Sequence, residues 1–333
     1  TSRSERVRLL HTLEDITSVE NVLLAWREFL PGKRNKFDVQ TFGYRLMDNL
    51  LGLHRELAVG AYRHGPYTYF RIADPKPRDI HKAMVRDRLV HHAIYRVLYP
   101  FFSRTFIADS YSCQLGKGTH RAMQRFQAFG RQVSRNSTRT CWVLKCDIRK
   151  FFASIHHATL LQLLAERIVD PRILALLQEV IQSFSWSPGI GLPLGNLTSQ
   201  LLVNIYMTPF DQFVKHRLRV KHYLRYADDF AMFSDNRAWL ENLVPKLQDF
   251  LQTNLRLDLH PRKVNIQTVA SGVDFLGWVH FPNHRVLRTA TKQRMFRHLR
   301  DHTEEATVQS YLGLLRHGNA YGLTEQLHNV RRG

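Results

Sequence analysis

Cysteine is scarce in this 333-residue chain: Cys113, Cys141 and Cys146 are the full set. Three cysteines cannot build a disulfide scaffold, and without a CxxC pair there is no frame for a zinc site. A reducing compartment is the expectation. Long apolar runs are missing too. No stretch of about 18 consecutive apolar residues exists to cross a bilayer, and the first fifteen residues lack the apolar centre of a secretory signal. These absences predict a cytoplasmic protein with no membrane partner. Neither a repeat of solenoid period nor a low-complexity run occurs. The 18 histidines invite a metal reading. However, His91–His92 and His156–His157 are adjacent, so their side chains diverge, and no cysteine or carboxylate stands beside them at ligand spacing.

Acids are also in short supply, 28 against 48 Lys and Arg, for a net charge of +20. With 44% apolar and 11% aromatic residues the chain can bury a sizeable core, so the excess is not that of a disordered basic tail. A polyanion is the expected partner, and nucleic acid is the commonest one. The charge is uneven. Residues 65–140 hold 14 basic and 4 acidic residues (net +10), half the excess in under a quarter of the chain. Residues 1–64 contribute +2, residues 141–280 contribute +3, and residues 281–333 contribute +5.

Periodicity supplies the elements. Residues 1–64 read as mostly helical, with Val22, Leu23, Trp26 and Phe29 on one face. Tyr67 to Ile72 reads as a strand closed by the turn signal Asp74–Pro75–Lys76–Pro77, and Asp87 to Phe102 as a helix. Cys141 to Asp147 is a short apolar run that delivers Asp147 at the end of a central strand. Two helices follow, the second restarted by Asp170–Pro171. A glycine-rich loop leads to a helix carrying Leu201, Leu202 and Ile205. Tyr223 to Phe233 then reads as a hairpin with Asp228 and Asp229 at its tip. Trp239 to Leu251 is amphipathic but interrupted by Pro245, and Val273 to His280 reads as a last strand pair before a basic helical tail.

The chemistry lies in three carboxylates. Asp147 ends a strand, and Asp228 and Asp229 follow 81 residues later at a turn that has no glycine to relax it. A solvated turn would explain one acid there. Convergent carboxylates have another use, holding two Mg2+ ions ~3.5–4 Å apart so that one activates a hydroxyl and the other stabilises a leaving pyrophosphate. Mg2+ takes few carboxylates and completes its shell with substrate phosphates, which suits so sparse a set.

Tyr226–Ala227–Asp228–Asp229 resembles the YxDD box of reverse transcriptases, and its neighbours resemble the family's other blocks in the family's order. Val85 to Ile94 is similar to the fingers block DRxxQxA. Lys145–Cys146–Asp147 through Phe151–Phe152–Ala153–Ser154–Ile155 is similar to the first palm block. Leu192 to Gln200 is similar to the block before the YxDD hairpin, and Leu259 to Lys263 and Phe275 to Trp278 are similar to the two after it. The set covers roughly residues 40–320.

The resemblance implies an α+β right-hand polymerase fold. Its parts would be an N-terminal helical extension (1–64), fingers (65–140), a palm of antiparallel sheet backed by helices (141–282, with fingers helices interleaved around 157–190) and a short helical thumb (283–333). It implies RNA-directed DNA polymerisation with two Mg2+ ions, Mn2+ substituting, held by Asp147, the Ile148 carbonyl, Asp228 and Asp229. Lys263 matches a position proposed to protonate pyrophosphate. Lys76 and Arg78 would grip the triphosphate, Phe152 would exclude a ribose 2′-hydroxyl, and Leu194, Gly195 and Gln200 would line the nucleotide. Phe275, Leu276, Gly277 and Trp278 would be the primer grip. Implied partners are template RNA, a DNA or RNA primer, the RNA–DNA hybrid and dNTPs.

The block Leu194–Gly195–Asn196–Leu197–Thr198–Ser199–Gln200 is similar to the [ILV]GxxxSQ signature of diversity-generating retroelements, where group II intron and retroviral enzymes usually have Gln before the glycine. That branch makes errors at template adenines, and Leu cannot donate the hydrogen bonds of a Gln. It also implies a small basic accessory protein and a bacterial, archaeal or phage gene. Two alternatives stand: a retron or anti-phage defence reverse transcriptase, and an inactive RNA-binding protein on the same fold. The 53 residues after 280 show no RNase H or HNH block, so DNA cleavage is not expected, and a host enzyme would remove the template RNA.

Overall fold

The structure, a computed structural model, describes residues 7–72, 77–302 and 304–330, without the side chains of 328–330. The chain forms two compact units, each assembled from three separated stretches: residues 1–108, 149–213 and 249–258 in the first, 109–148, 214–248 and 259–333 in the second. Compactness thus cuts the chain differently from the four functional parts expected above.

The first unit is mainly helical. Val19–Phe29 buries Val22, Ala25, Trp26 and Phe29, and Leu46–Ala58 buries Leu50, Leu53 and Leu57, the three-and-four spacing of an amphipathic helix. Val85–Phe102 buries Leu89, Val90, Ala93, Ile94 and Leu98. Asp170 caps the helix Pro171–Gln182, accepting from the Arg172 amide at 2.8 Å, with Pro171 in the first-turn position that needs no amide donor. Its other oxygen accepts from the Leu13 amide (2.8 Å), which ties the N-terminal helices to this one. The helix Leu197–Gln212 is buried on nearly every side. A two-stranded antiparallel hairpin projects from the helices: β1 (Tyr67–Ile72) pairs with β2 (Arg78–Ala83), Tyr67 opposite Ala83 and Ile72 opposite Arg78. Of the turn expected between them, Asp74, Pro75 and Lys76 lie outside the described residues.

The second unit holds two antiparallel sheets. In the first, β3 (Trp142–Asp147), β4 (Tyr223–Tyr226), β5 (Asp229–Ser234) and β6 (Asn265–Thr268) run in the order β4-β5-β3-β6. β3 is therefore interior, as its apolar sequence predicts. The helix Thr119–Val133 covers this sheet, setting Ala122, Phe126 and Phe129 against Val143, Leu224, Ala231 and Phe233. The second sheet joins β7 (Val273–Phe275), β8 (Trp278–His280) and β9 (Arg285–Leu287) in sequence order. The helices Thr289–Asp301, Glu305–Leu315 and Tyr321–Val330 follow, and Met295, Leu299, Leu312, Leu315 and Leu327 pack with Trp278. The helix Arg237–Leu255 continues through Pro245. The lost amide bond is outweighed by the burial of Leu240, Leu243 and Leu247. Among the described residues no helix is long and apolar enough to cross a membrane.

Candidate active site

Tyr226 pairs with Asp229 across β4 and β5, so the hairpin loop is the two residues Ala227 and Asp228. Such tight loops demand positive φ, normally supplied by glycine. Here Ala227 takes φ +55° at a cost of about 1–2 kcal/mol. Arg225 underwrites it. Its side chain is fully buried, and its guanidinium donates to the Ala227 carbonyl (2.9 Å) and to Ser110 Oγ (3.2 Å). Charged hydrogen bonds of this kind contribute about 1.5–3 kcal/mol.

Register places the acids together. Asp147 at the end of β3 lies directly opposite Asp229 at the start of β5. The Ile148 amide donates to the Asp228 carbonyl (3.1 Å), and the His260 amide donates to the Asp147 carbonyl (2.7 Å). Like charges facing one another across a sheet are unfavourable, and two lysines offset them. Lys263 Nζ lies 2.9 Å from Asp147 Oδ2, and Lys145 Nζ lies 3.5 Å from Asp229 Oδ2. Burial pushes the Asp229 carboxyl up to about 7, against the pull of Lys145 and aided by the charges of Asp228 and Asp147.

One oxygen of Asp229, Oδ1, is buried and accepts no hydrogen bond, an expensive state for a carboxylate. Among the described residues, no three His, Cys, Asp or Glu side chains are arranged to hold a metal ion by themselves. The donors are all oxygen, the chemistry of a hard cation that takes its remaining ligands from substrate phosphates. Mg2+ fits this set.

The first unit gathers a second group. The His81 amide of β2 donates to the Leu194 carbonyl (3.1 Å), and Asn196 Nδ2 donates back to the His81 carbonyl (2.9 Å). Between them Gly195 takes φ +104°, and a Cβ there would lie 2.9 Å from Ile80 Cγ2. The Leu194–Asn196 loop is thus laid along the edge of β2, the strand that begins with Arg78. The Leu192 amide donates to the Phe152 carbonyl (2.8 Å), joining Phe152 to the same loop. Phe151 is buried and Phe152 half-buried, so only the first is a core residue. Gln200 sits in the first turn of the helix Leu197–Gln212, its amide bonded to the Asn196 carbonyl (3.4 Å).

Comparison with known proteins gives the family. Residues 73–280, more than half the chain, match the family described as reverse transcriptase (RNA-dependent DNA polymerase). This chain belongs to the reverse transcriptase family. Protein YkfC of Escherichia coli K12 is 26% identical in an alignment of 288 residues that covers 74% of this chain and 74% of that one. The group II intron-encoded protein LtrA of Lactococcus lactis is 22% identical in an alignment of 314 residues that covers 72% of this chain and 50% of that one. The solved structure of Candida albicans telomerase with a fragment of telomeric RNA superposes with a TM-score of 0.51 at 11% identity, covering 70% of this chain and 46% of its own. The likeness shows the mixed helix-and-sheet fold of a right-hand polymerase. The enzyme is an RNA-directed DNA polymerase.

Within this reverse transcriptase, Asp147, Ile148, Asp228, Asp229 and Lys263 come together in the second unit, and Arg78, Phe152, Leu194, Gly195 and Gln200 belong to the first. Lys76 lies outside the described residues. Phe275 and Trp278 are buried: Phe275 stacks on Phe126 (4.9 Å), and Trp278 lies so close to Gly318 that a Cβ there would come within 2.0 Å. Of the four, only the turn between them, Leu276 and Gly277, is partly exposed, and both residues take positive φ. Arg86 and Arg88 are spent structurally. Arg86 pairs with Glu56 and buried Asp87, and Arg88 pairs with Asp38 (2.6 Å).

Sequence reasoning missed Arg225, Lys145 and Asn196. The signal for Arg225 was a lone charge in the apolar strand Tyr223–Tyr226. For Lys145 it was the two-residue spacing that puts it on the face of Asp147. Asn196 carried no comparable mark, since Asn before a helix reads as an ordinary cap.

Proposed function

We propose that this reverse transcriptase copies RNA by two-metal nucleotidyl transfer at Asp147, Asp228 and Asp229, as the error-prone enzyme of a diversity-generating retroelement. The pairing of Asp147 with Asp229, beside an unpartnered buried carboxylate oxygen, carries the metal reading. The side chains of Asp147, Asp228 and Asp229 and the Ile148 carbonyl would hold Mg2+ ions. Such ions lower the pKa of the attacking 3′-hydroxyl and stabilise the leaving pyrophosphate. Lys263, exposed beside Asp147, would give a proton from Nζ to that pyrophosphate. Arg78, together with Lys76, would hold the triphosphate by charge-assisted hydrogen bonds. Phe152 would close the space of a 2′-hydroxyl, and the Leu276–Gly277 turn would touch the primer. Residues 65–140 would act as fingers, 141–282 as palm and 283–333 as thumb.

The branch rests on Leu194. A Gln side chain could hydrogen-bond the nascent pair from that position, and Leu leaves only shape to select the base. Similarity to YkfC and to LtrA favours a second reading, an intron-type reverse transcriptase of ordinary fidelity. Primer extension on RNA with dNTPs and Mg2+ tests both levels. Asp228→Ala should abolish incorporation, and surviving incorporation would overturn the metal assignment. Sequenced products should carry substitutions concentrated opposite template adenines, and uniform fidelity would support the intron-type reading instead. A small basic accessory protein, if the retroelement reading holds, should raise activity on its cognate RNA.

A further inference from the structure

One face of the β1–β2 hairpin carries an aromatic row for which the polymerase site gives no account. Tyr67 and Tyr69 of β1 share a face with His81 and Ala83 of β2, because Tyr69 is opposite His81 and Tyr67 opposite Ala83. Two residues from the loop after the helix Pro171–Gln182 extend the row. Phe184 packs on Tyr67 (5.7 Å) and His81 (4.5 Å), and Trp186 meets His81 (5.8 Å, 87°) and Phe184 (6.1 Å, 86°) edge-on. Tyr69 lies 5.7 Å from His81.

The outer members of this row stay in solvent: Tyr69 is 57% exposed and Trp186 54%. Trp186 is nevertheless fixed. Its amide donates to the Ile190 carbonyl (2.9 Å), and its side chain fills the space over Gly191, where a Cβ would come within 2.8 Å of Cδ1. A tryptophan held by its edges and left open to water contributes little to folding, and exposed aromatic surface of this kind marks an interaction site. Burial lowers the His81 pKa, so the ring in contact with both exposed aromatics is uncharged at neutral pH. Phosphate-seeking charge lies on the same hairpin: Arg71 is 66% exposed and only loosely paired with Asp79 (3.8 Å), and Arg78 opens β2. Flat, neutral aromatic faces beside exposed guanidinium groups match single-stranded nucleic acid, whose bases stack without regard to sequence.

We propose that Tyr69 and Trp186 form a stacking platform for unpaired bases of the RNA template. This rests on the enzyme's reading as a polymerase of RNA, and it assigns the strand and the two side chains that take its bases. The test compares binding of two primer–template hybrids, one with a 5′ overhang of unpaired RNA and one blunt. Trp186→Ala should weaken binding of the overhang hybrid roughly tenfold, the worth of one lost base stack, and leave the blunt hybrid unaffected. Trp186→Phe should keep most of the affinity. Tyr69→Ala, on an exposed strand position, should act in the same direction and covers the case in which Trp186→Ala fails to fold. Equal losses on both hybrids, or none on either, would overturn the platform; the second result would return this face to a protein partner. Failure of the polymerase reading is separate, because then the wild type would not extend a primer on RNA whatever the state of Trp186.

Discussion

Asn196 offers a test in which two roles predict opposite signs. It stands at the N-cap of the helix Leu197–Gln212, yet its side chain makes no capping bond there. It is 2% exposed, and its Nδ2 donates instead to the His81 carbonyl of β2. Were it an ordinary cap, Asn196→Asp would be neutral or stabilising, since Asp caps as well as Asn and a negative charge at a helix N-terminus contributes about 0.3–1 kcal/mol. As a clamp, Asp fails. It has no N–H to give, so one bond worth about 1 kcal/mol is lost and a half-buried carbonyl goes unpaired at a further cost of about 1–3 kcal/mol. Against the gain at the helix end, net destabilisation comes to about 1–3 kcal/mol. Asn196→Ala leaves the same carbonyl unpaired without a buried charge facing it, so Asp should be the worse substitution. Urea unfolding of the full chain reads the stability. Steady-state primer extension reads KM for dNTP, which should rise as the Leu194 loop loosens from β2. Should Asp rotate to cap the helix, stability recovers while KM stays high, because the loop is still unclamped. An Asn196→Asp enzyme with wild-type stability and wild-type KM would refute the clamp.

Three further outcomes follow from the same geometry. Gly195→Ala must adopt φ +104° and push against Ile80 Cγ2 at 2.9 Å; the left-handed conformation alone costs about 1–2 kcal/mol, and adding Ile80→Ala should recover only the contact part, so strictly additive losses in unfolding experiments would remove the contact from the account. Arg225→Met frees the Ala227 carbonyl and removes a donor from Ser110 Oγ, which still accepts from Gln114 Nε2; an acceptor left unpaired in the interior costs about 1–3 kcal/mol, and the folded fraction should lose kcat far more than dNTP affinity, a split that unchanged kcat would contradict. Phe152→Ala should admit ribonucleotides in primer extension, and unaltered sugar discrimination would show that this half-buried ring is not the gate.

The parts of the fold legible in the sequence are those where burial writes a period into the residues. β3 was readable because an interior strand is apolar throughout, and the carboxylate that ends it stands out. The hairpin around Asp228 was readable because aromatic runs flank an unlikely pair of acids. β2 and β6 were not read as strands. Arg78–Ala83 is charged and only half-buried, and Asn265–Thr268 is four residues at a sheet edge; neither shows the alternation that signals a strand. What pairs them is tertiary, the partner strands β1 and β3. The helix Thr119–Val133 did carry its period, in Ala122, Met123, Phe126 and Phe129, under a heavily polar remainder. The acids of the site were visible as residues, whereas their neutralisation by Lys145 and Lys263 depends on register and on a loop 116 residues away in sequence.

Of the nine described non-glycine residues at positive φ, three lie in the polymerase-like blocks, and at one of these the strain has a physical reading. Lys150 (φ +45°), Ala227 (φ +55°) and Leu276 (φ +52°) all hold left-handed conformations without being glycine, and each lies inside one of the blocks that carry the polymerase resemblance. Glycine would relieve the cost at any of them, but it would also free the neighbouring residues to wander. At position 227 the consequence is concrete. Asp228 sits in a two-residue loop between paired strands, fixed on one side by the Tyr226–Asp229 pair and from beneath by Arg225 on the Ala227 carbonyl. An alanine forced into the left-handed well has few other conformations to visit while those bonds hold, so the strain and the buried arginine together confine the carboxylate. In the proposed metal site, the expense of about 1–2 kcal/mol is small beside the penalty of a misplaced carboxylate, since a displacement of about 1 Å can cost ~100-fold in rate. The turn is strained because a relaxed one would leave Asp228 loose.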